Sequence, residues 1–228
     1  MSIPVMIMGN SGSGKTYSLK PLTKDEVSVI SVEKSRLPFK TDIKPARIPD
    51  NIAGEEIDSY SKLNAARYSW LQAAIRTAPT KMVVIDDSQY MMAAELFDRA
   101  KEKGYDKFTD MAANFRNLIH YINNLPEDDK IVYFLHHVEQ DQNNITKVKT
   151  IGKMLDEKLV IEGCFDIVIL CENHRFVTQG NGQSTAKTPE DMFEDVEIAN
   201  DLKYVDTKIR EYYDLPGSDS KNGKKSKE

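Results

Sequence analysis

The chain has 228 residues, of which 40% are hydrophobic and 29% charged, and its formal net charge is −5. That is enough apolar side chain for one α/β domain with insertions, and too acidic for a protein that coats nucleic acid by bulk charge, although a local basic groove stays open. No apolar run approaches the roughly 20 residues needed to cross a bilayer, and the N-terminus passes directly into a strand pattern. Neither a signal peptide nor a membrane partner is therefore expected, and the expected compartment is the cytoplasm.

Residues 3–8, IPVMIM, form a short apolar run closed by Gly9, which predicts a strand; 15–21 read as a helix stopped by Pro21. Residues 27–32 are rich in β-branched side chains and end at Glu33, before a polar stretch through Pro38, Pro45 and Pro49 that reads as loop. Residues 60–78 carry Leu63, Ala66, Trp70, Ala73 and Ala74 at helical spacing, ending at Pro79. Residues 82–85 are apolar, too short for a helix and bounded by Asp86 and Asp87, as a strand buried on both faces should be. Amphipathic helices are predicted over 88–103 and 110–124, with a loop at 104–109.

Residues 131–135 are the next buried strand, 136–148 a polar loop, 151–159 a short helix or turn and 165–171 another buried strand. Residues 174–179 and 184–188 flank Gly-Asn-Gly, a hairpin signal, and 197–213 read as a charged helix. The expected fold is α/β, a mostly parallel central sheet with helices on both faces and a C-terminal β-hairpin. One domain over 1–214 is expected, followed by a disordered lysine-rich tail over 215–228.

Cys164 and Cys171 lie seven apart on a strand pattern and so on opposite faces, which disfavours a disulfide. With His174 and the pair His136–His137 they suggest zinc, but a second closely spaced ligand pair is missing.

The strongest motif is GNSGSGKT at 9–16, set between a strand and a helix. Backbone N–H groups that converge on anionic oxygens need conformations glycine reaches cheaply, supplied by Gly9, Gly12 and Gly14 with Asn10, Ser11 and Ser13 between them. Lys15 then serves the β- and γ-phosphates, Thr16 offers a hydroxyl to Mg²⁺, and Tyr17 follows at the helix N-terminus. ATP and Mg²⁺ are the implied ligands. Asp86, ending MVVIDD, is the expected Mg²⁺ carboxylate; Asp87 either polarises a water or caps the next helix. Glu33 at the second strand's end reads either as a water-orienting carboxylate or as a solvated loop residue.

In order, GNSGSGKT, VISVEK, VVIDDS and VYFLHH, then a polar loop and a strand, resemble the RecA-like P-loop ATPase core. GYDKFTDMAANFRNL, VKTIGKMLDEKL and NDLKYVDTKIREYY extend the likeness to phage Sak-type recombinases that anneal single-stranded DNA. The resemblance implies that Glu33 is the catalytic glutamate and that His137 stands where these proteins carry a polar γ-phosphate sensor, usually glutamine. It implies Mg-dependent ATP hydrolysis, a ring or filament of identical subunits, single-stranded DNA as partner with a single-strand-binding protein as a further candidate, and a host cytoplasm if the chain is phage-encoded.

It also implies two DNA-facing loops. The first, 100–109, offers Lys101, Lys103, Tyr105, Lys107 and Phe108; the second, 138–152, offers Lys147 and Lys149, with Lys153 just beyond. Glu102, Glu139 and Asp141 lie among them, so a solvated surface is the competing reading. Lys187, with Arg175 as alternative, is the implied cation that reaches a neighbouring subunit's nucleotide. A nucleotide or small-molecule kinase and a nucleotide-gated assembly module are the competing functions.

Overall fold

The computed structural model describes residues 2–33, 36–49, 52, 59–127, 129–152 and 159–217. Lys153 and the predicted helix at 151–159 therefore fall wholly or mostly outside the described residues, as does the tail beyond residue 217.

An eight-stranded sheet organises the chain. Its parallel part comprises β1 (Ile3–Met8), β2 (Val27–Ser31), β3 (Ala46–Arg47), β4 (Met82–Asp86), β5 (Ile131–His136) and β8 (Ile167–Glu172). A separate antiparallel ribbon joins β6 (Val138–Gln140) to β7 (Thr146–Val148). At one edge β9 (Arg175–Val177) and β10 (Glu197–Ala199) continue the sheet antiparallel, giving the order β10-β9-β8-β1-β5-β4-β2-β3. The strand ending in His136 thus lies between the one ending at the glycine loop and the one ending in Asp86, with Met6 opposite Phe134 and Ile85 opposite Phe134 across the two ladders.

Period-two alternation explains the layers. Met6, Met8, Val83, Ile85, Val132 and Phe134 turn to one face, against α1 (Tyr60–Thr77), α2 (Tyr90–Asp98) and α3 (Asp106–Asn123). Val5, Ile7, Val84, Tyr133 and Ile169 turn to the other, against Leu19, Leu22 and α4 (Leu202–Tyr212). Each fully buried aliphatic side chain contributes about 1.5–3 kcal/mol, so the strand runs dominate stability.

Four elements differ from the sequence reading. The helix after the glycine loop is a single 3-10 turn, Thr16–Leu19. The polar loop at 136–148 is partly ribbon, because Asp141 accepts bonds from Asn143 and Ile145 N–H and folds the chain back. The hairpin turn falls at Asn173–His174, both at positive φ, with Glu172 opposite Arg175; Gly180–Gly182 makes a separate turn, and Lys187 bridges Val168. Residues 197–213 split into β10 and α4 because Asp201 caps the helix, accepting from Tyr204 N–H at 3.1 Å.

Candidate functional site

The glycine loop crosses the carboxyl ends of β1, β5 and β8, where parallel α/β sheets place their ligands. Gly9 N–H donates to His136 O, and a Cβ on Gly9 would meet Cys171 O at 2.4 Å. Gly14 has φ +110, and a Cβ there would meet Asn200 Nδ2 at 2.5 Å and His174 Nδ1 at 2.8 Å. Positive φ and close approach together require glycine at that position. The loop is held from the β8 side: His174 N–H and Cys171 Sγ both donate to Ser13 O, and Asn200 Nδ2 donates to Gly14 O.

Lys15 is 6% exposed and its ammonium donates to Gly9 O and Asn10 O at 2.7 and 2.9 Å. Burial lowers its pKa, partly offset by Cys171, Asp87 and Asp86. Thr16 Oγ1 donates to Asp86 Oδ1 at 2.9 Å, seventy residues away in sequence. Burial, then the neighbouring Asp87, raises the Asp86 carboxyl to about 6, against opposing contributions from Thr16 and Lys15. Among the described residues Ser13 Oγ is buried without a hydrogen-bond partner.

A buried ammonium and a buried carboxylate that both resist their charged forms, beside an orphaned hydroxyl, fit a polyphosphate and a divalent cation. The cation would take Thr16 and Asp86, whose hard oxygens suit Mg²⁺.

Lys15, Thr16 and Asp86 line one cavity of about 310 Å³, walled also by Ser11, Gly12, Gly14, Tyr17, Arg36, Pro38, Asp87, His137 and His174. Asp87 is held at φ 60, and its carboxylate lies 3.3 Å from His137 Nε2. It does not cap α2, whose N-cap is Gln89 with no side-chain cap bond. Gln89 Oε1 instead accepts from His137 N–H, and Tyr90 packs edge-on against the imidazole at 6.2 Å.

His136 has the opposite fate. It is fully buried, Nε2 donates to Lys149 O at 2.8 Å, and burial pushes its pKa down to about 4. With the proton on Nε2, the neutral ring's Nδ1 accepts from Ser88 Oγ at 2.9 Å.

Several predicted residues are not brought to this cavity. Glu33 is exposed and faces a separate recess of about 360 Å³ with Arg47, Arg67 and Tyr90. Ser31 Oγ bonds to Glu33 O just past β2, curling the chain there. Lys187 is exposed and pairs with Val168 near the start of β8, at the opposite end of that strand from its carboxyl end. Lys107 Nζ donates to Arg99 O and Glu102 O, and Phe108 packs on the core, so both brace the α2–α3 connection; Lys101, Lys103 and Tyr105 are exposed. Lys147 pairs with Glu139 across the ribbon at 3.2 Å, and Lys149 is exposed.

Conversely, Cys171 and Asn200 contact the loop and His174 walls the cavity, although no contiguous sequence motif marks them for it. His174's signal was its place just past a buried strand's carboxyl end.

The parallel sheet, the loop at the end of β1 and the Thr16–Asp86 contact define a P-loop nucleoside-triphosphatase fold. The chain matches the family model described as an AAA domain over residues 1–193 and belongs to that family. No curated protein matches it. Among the described residues no helix is long and apolar enough to cross a membrane.

Proposed function

We propose that this chain hydrolyses ATP to ADP and phosphate with Mg²⁺. The observation that carries the reading is the Thr16–Asp86 bond at 2.9 Å inside a cavity that also holds Lys15, Asp87 and His137. When bound, Mg²⁺ would neutralise charge on the β- and γ-phosphate oxygens. The loop amides and Lys15 hold the triphosphate and stabilise charge as the γ-phosphoryl group leaves. Asp87 accepts the proton of the attacking water as its oxygen bonds to the γ-phosphorus and the bond to the bridging oxygen breaks. His137, with Nε2 3.3 Å from Asp87, holds that carboxylate in place.

Asp87 therefore takes the part that the sequence resemblance gave to Glu33. Phosphate release from ATP with Mg²⁺ tests the reading: activity lost in Asp87→Asn and kept in Glu33→Gln is expected, and the reverse would restore Glu33.

We further propose that turnover serves binding and annealing of single-stranded DNA by an oligomer of Sak-type, RecA-like character. Besides the sequence resemblance, Tyr105 supports it: this ring is 72% exposed beside Lys101 and Lys103, stacking surface next to phosphate-neutralising charge. Electrophoretic mobility shift of short single strands is expected to weaken in Tyr105→Ala and with rising salt; no salt-sensitive complex with wild type would end this reading.

A further inference from the structure

The chain's net charge is −5, yet residues 36–47 hold four cations, Arg36, Lys40, Lys44 and Arg47, against one carboxylate, Asp42. Exposure alternates along the first part of this segment. Leu37, Phe39, Thr41 and Ile43 are buried or half-buried, while Arg36, Lys40, Asp42 and Lys44 between them are exposed. The inward set anchors the backbone: Leu37, Phe39 and Ile43 pack into the apolar layer that holds Leu19 and Leu22, and Thr41 Oγ1 accepts from Ile43 N–H at 3.1 Å. Arg47 is fixed in turn by the pairing of β3 with β2. The segment therefore presents its cations from a held chain.

Those cations lack counter-charges. Among the described residues none of the four side chains has a hydrogen bond or an ion pair, whereas Asp42 is engaged, accepting from Lys24 N–H at 3.3 Å. Arg36, Lys44 and Arg47 line one concavity of about 300 Å³ over Leu37, Phe39 and Ile43, and no acidic residue borders it. Arg36 also walls the glycine loop's cavity, and Arg47 also borders the recess of Glu33. Lys107 and Lys147, on the two loops that the sequence resemblance implies, are by contrast held by backbone carbonyls and by Glu139. Unpaired like charges gathered on an otherwise acidic molecule focus a positive potential, which draws a polyanion. Four cations in sequence along one segment suit a flexible linear polyanion, and the guanidinium groups at its two ends match phosphate oxygens.

We infer that the outward face of residues 36–47 is a track for the sugar-phosphate chain of single-stranded nucleic acid, separate from both implied loops. The inference rests on the single-strand reading above and adds a site to it. The segment's one ring, Phe39, is half-buried against the apolar layer, so the track reads phosphates and carries no base preference.

Fluorescence anisotropy of labelled single strands tests it in wild type and in Lys40→Gln/Lys44→Gln/Arg47→Gln, with ADP and Mg²⁺ present to keep the strand's phosphates out of the glycine loop. Arg36 is left in place because it also walls that cavity. The triple variant should bind about tenfold more weakly or worse, equally for oligo-dT and mixed sequences, and the slope of log affinity against log salt should shrink by about 2. Its urea midpoint should not move, since all three side chains are exposed and unpaired. In wild type, Lys40 and Lys44 should become protected from acetylation by acetic anhydride when the strand is added, read by mass spectrometry. Unchanged affinity and slope in the triple variant would overturn the inference while the single-strand reading stands. So would a complex in which Lys40 and Lys44 stay fully reactive, which would reduce the variant's loss to net charge. Polyglutamate protecting both lysines as well as the strand does would overturn it in favour of an acidic protein partner. If wild type forms no salt-sensitive complex at all, the single-strand reading itself fails.

Discussion

The phosphate loop has two flanks built from different chemistry. On the β4–β5 side stand ionisable groups, Asp86, Asp87 and His137, gathered from the ends of neighbouring strands. On the β8–β9 side stand neutral donors, His174 N–H, Cys171 Sγ and Asn200 Nδ2, aimed at loop carbonyls. The first flank carries the charge that chemistry on a phosphate needs; the second fixes the loop's shape without adding charge that would compete with the ligand. Damage to one should therefore change turnover, and damage to the other should change binding and stability.

The sharpest break in that comparison comes from the charged flank. Asp87→Asn is expected to lower phosphate release by at least about a hundredfold with little change in nucleotide affinity. Glu33→Gln, in its separate recess, should stay within about twofold of wild type. Steady-state turnover with parallel binding isotherms checks both.

Next in size is Gly14→Ala on the shaping flank. The added Cβ meets Asn200 Nδ2 at 2.5 Å and His174 Nδ1 at 2.8 Å on a backbone at φ +110. Strain and displaced contacts should cost about 2–4 kcal/mol in urea denaturation and weaken nucleotide binding. Unchanged stability would mean that the β8–β9 flank gives way freely and shapes nothing.

The charged flank was legible in the sequence because its chemistry is contiguous: GNSGSGKT and MVVIDD each state a function within a few residues. The strand pattern was legible for the same reason, since the apolar runs at 82–85 and 131–135 are too short to be anything else. The shaping flank was not, because Ser13, Cys171 and Asn200 meet only through the pairing of β1 with β8 and the β9–β10 edge. Glu33 lines a recess apart from the glycine loop's cavity, because strand-end position says which edge of the sheet a residue occupies, not which recess its chain turns into. Of the two histidines, His136 ends β5 and is buried against Phe115, while His137, the residue that the resemblance implies as the γ-phosphate sensor, lines the cavity.

His136 offers a test of intermediate size that belongs to neither flank's chemistry. Its folded pKa, about 4, lies below the unfolded value near 6.5, so the unfolded state binds the extra proton between them. Stability should therefore fall as pH drops through this window, by on the order of 2 kcal/mol between pH 7 and pH 5. Urea midpoints should show that slope in wild type and less of it in His136→Gln, which lacks the titrating ring.

The smallest expected effect distinguishes shape from charge on the second flank. Asn200 Nδ2 donates to Gly14 O at 3.0 Å from a half-buried position. Asn200→Ala removes one hydrogen bond to a carbonyl that water can partly reach, so a loss of about 1 kcal/mol is expected by urea denaturation. Asn200→Asp removes the same donor and sets an anion beside that carbonyl and beside the triphosphate's path. If neutrality is what this flank contributes, Asp should weaken nucleotide binding more than Ala at similar fold stability, and the difference should shrink at high salt. Equal binding by the two variants would leave Asn200 only a local brace.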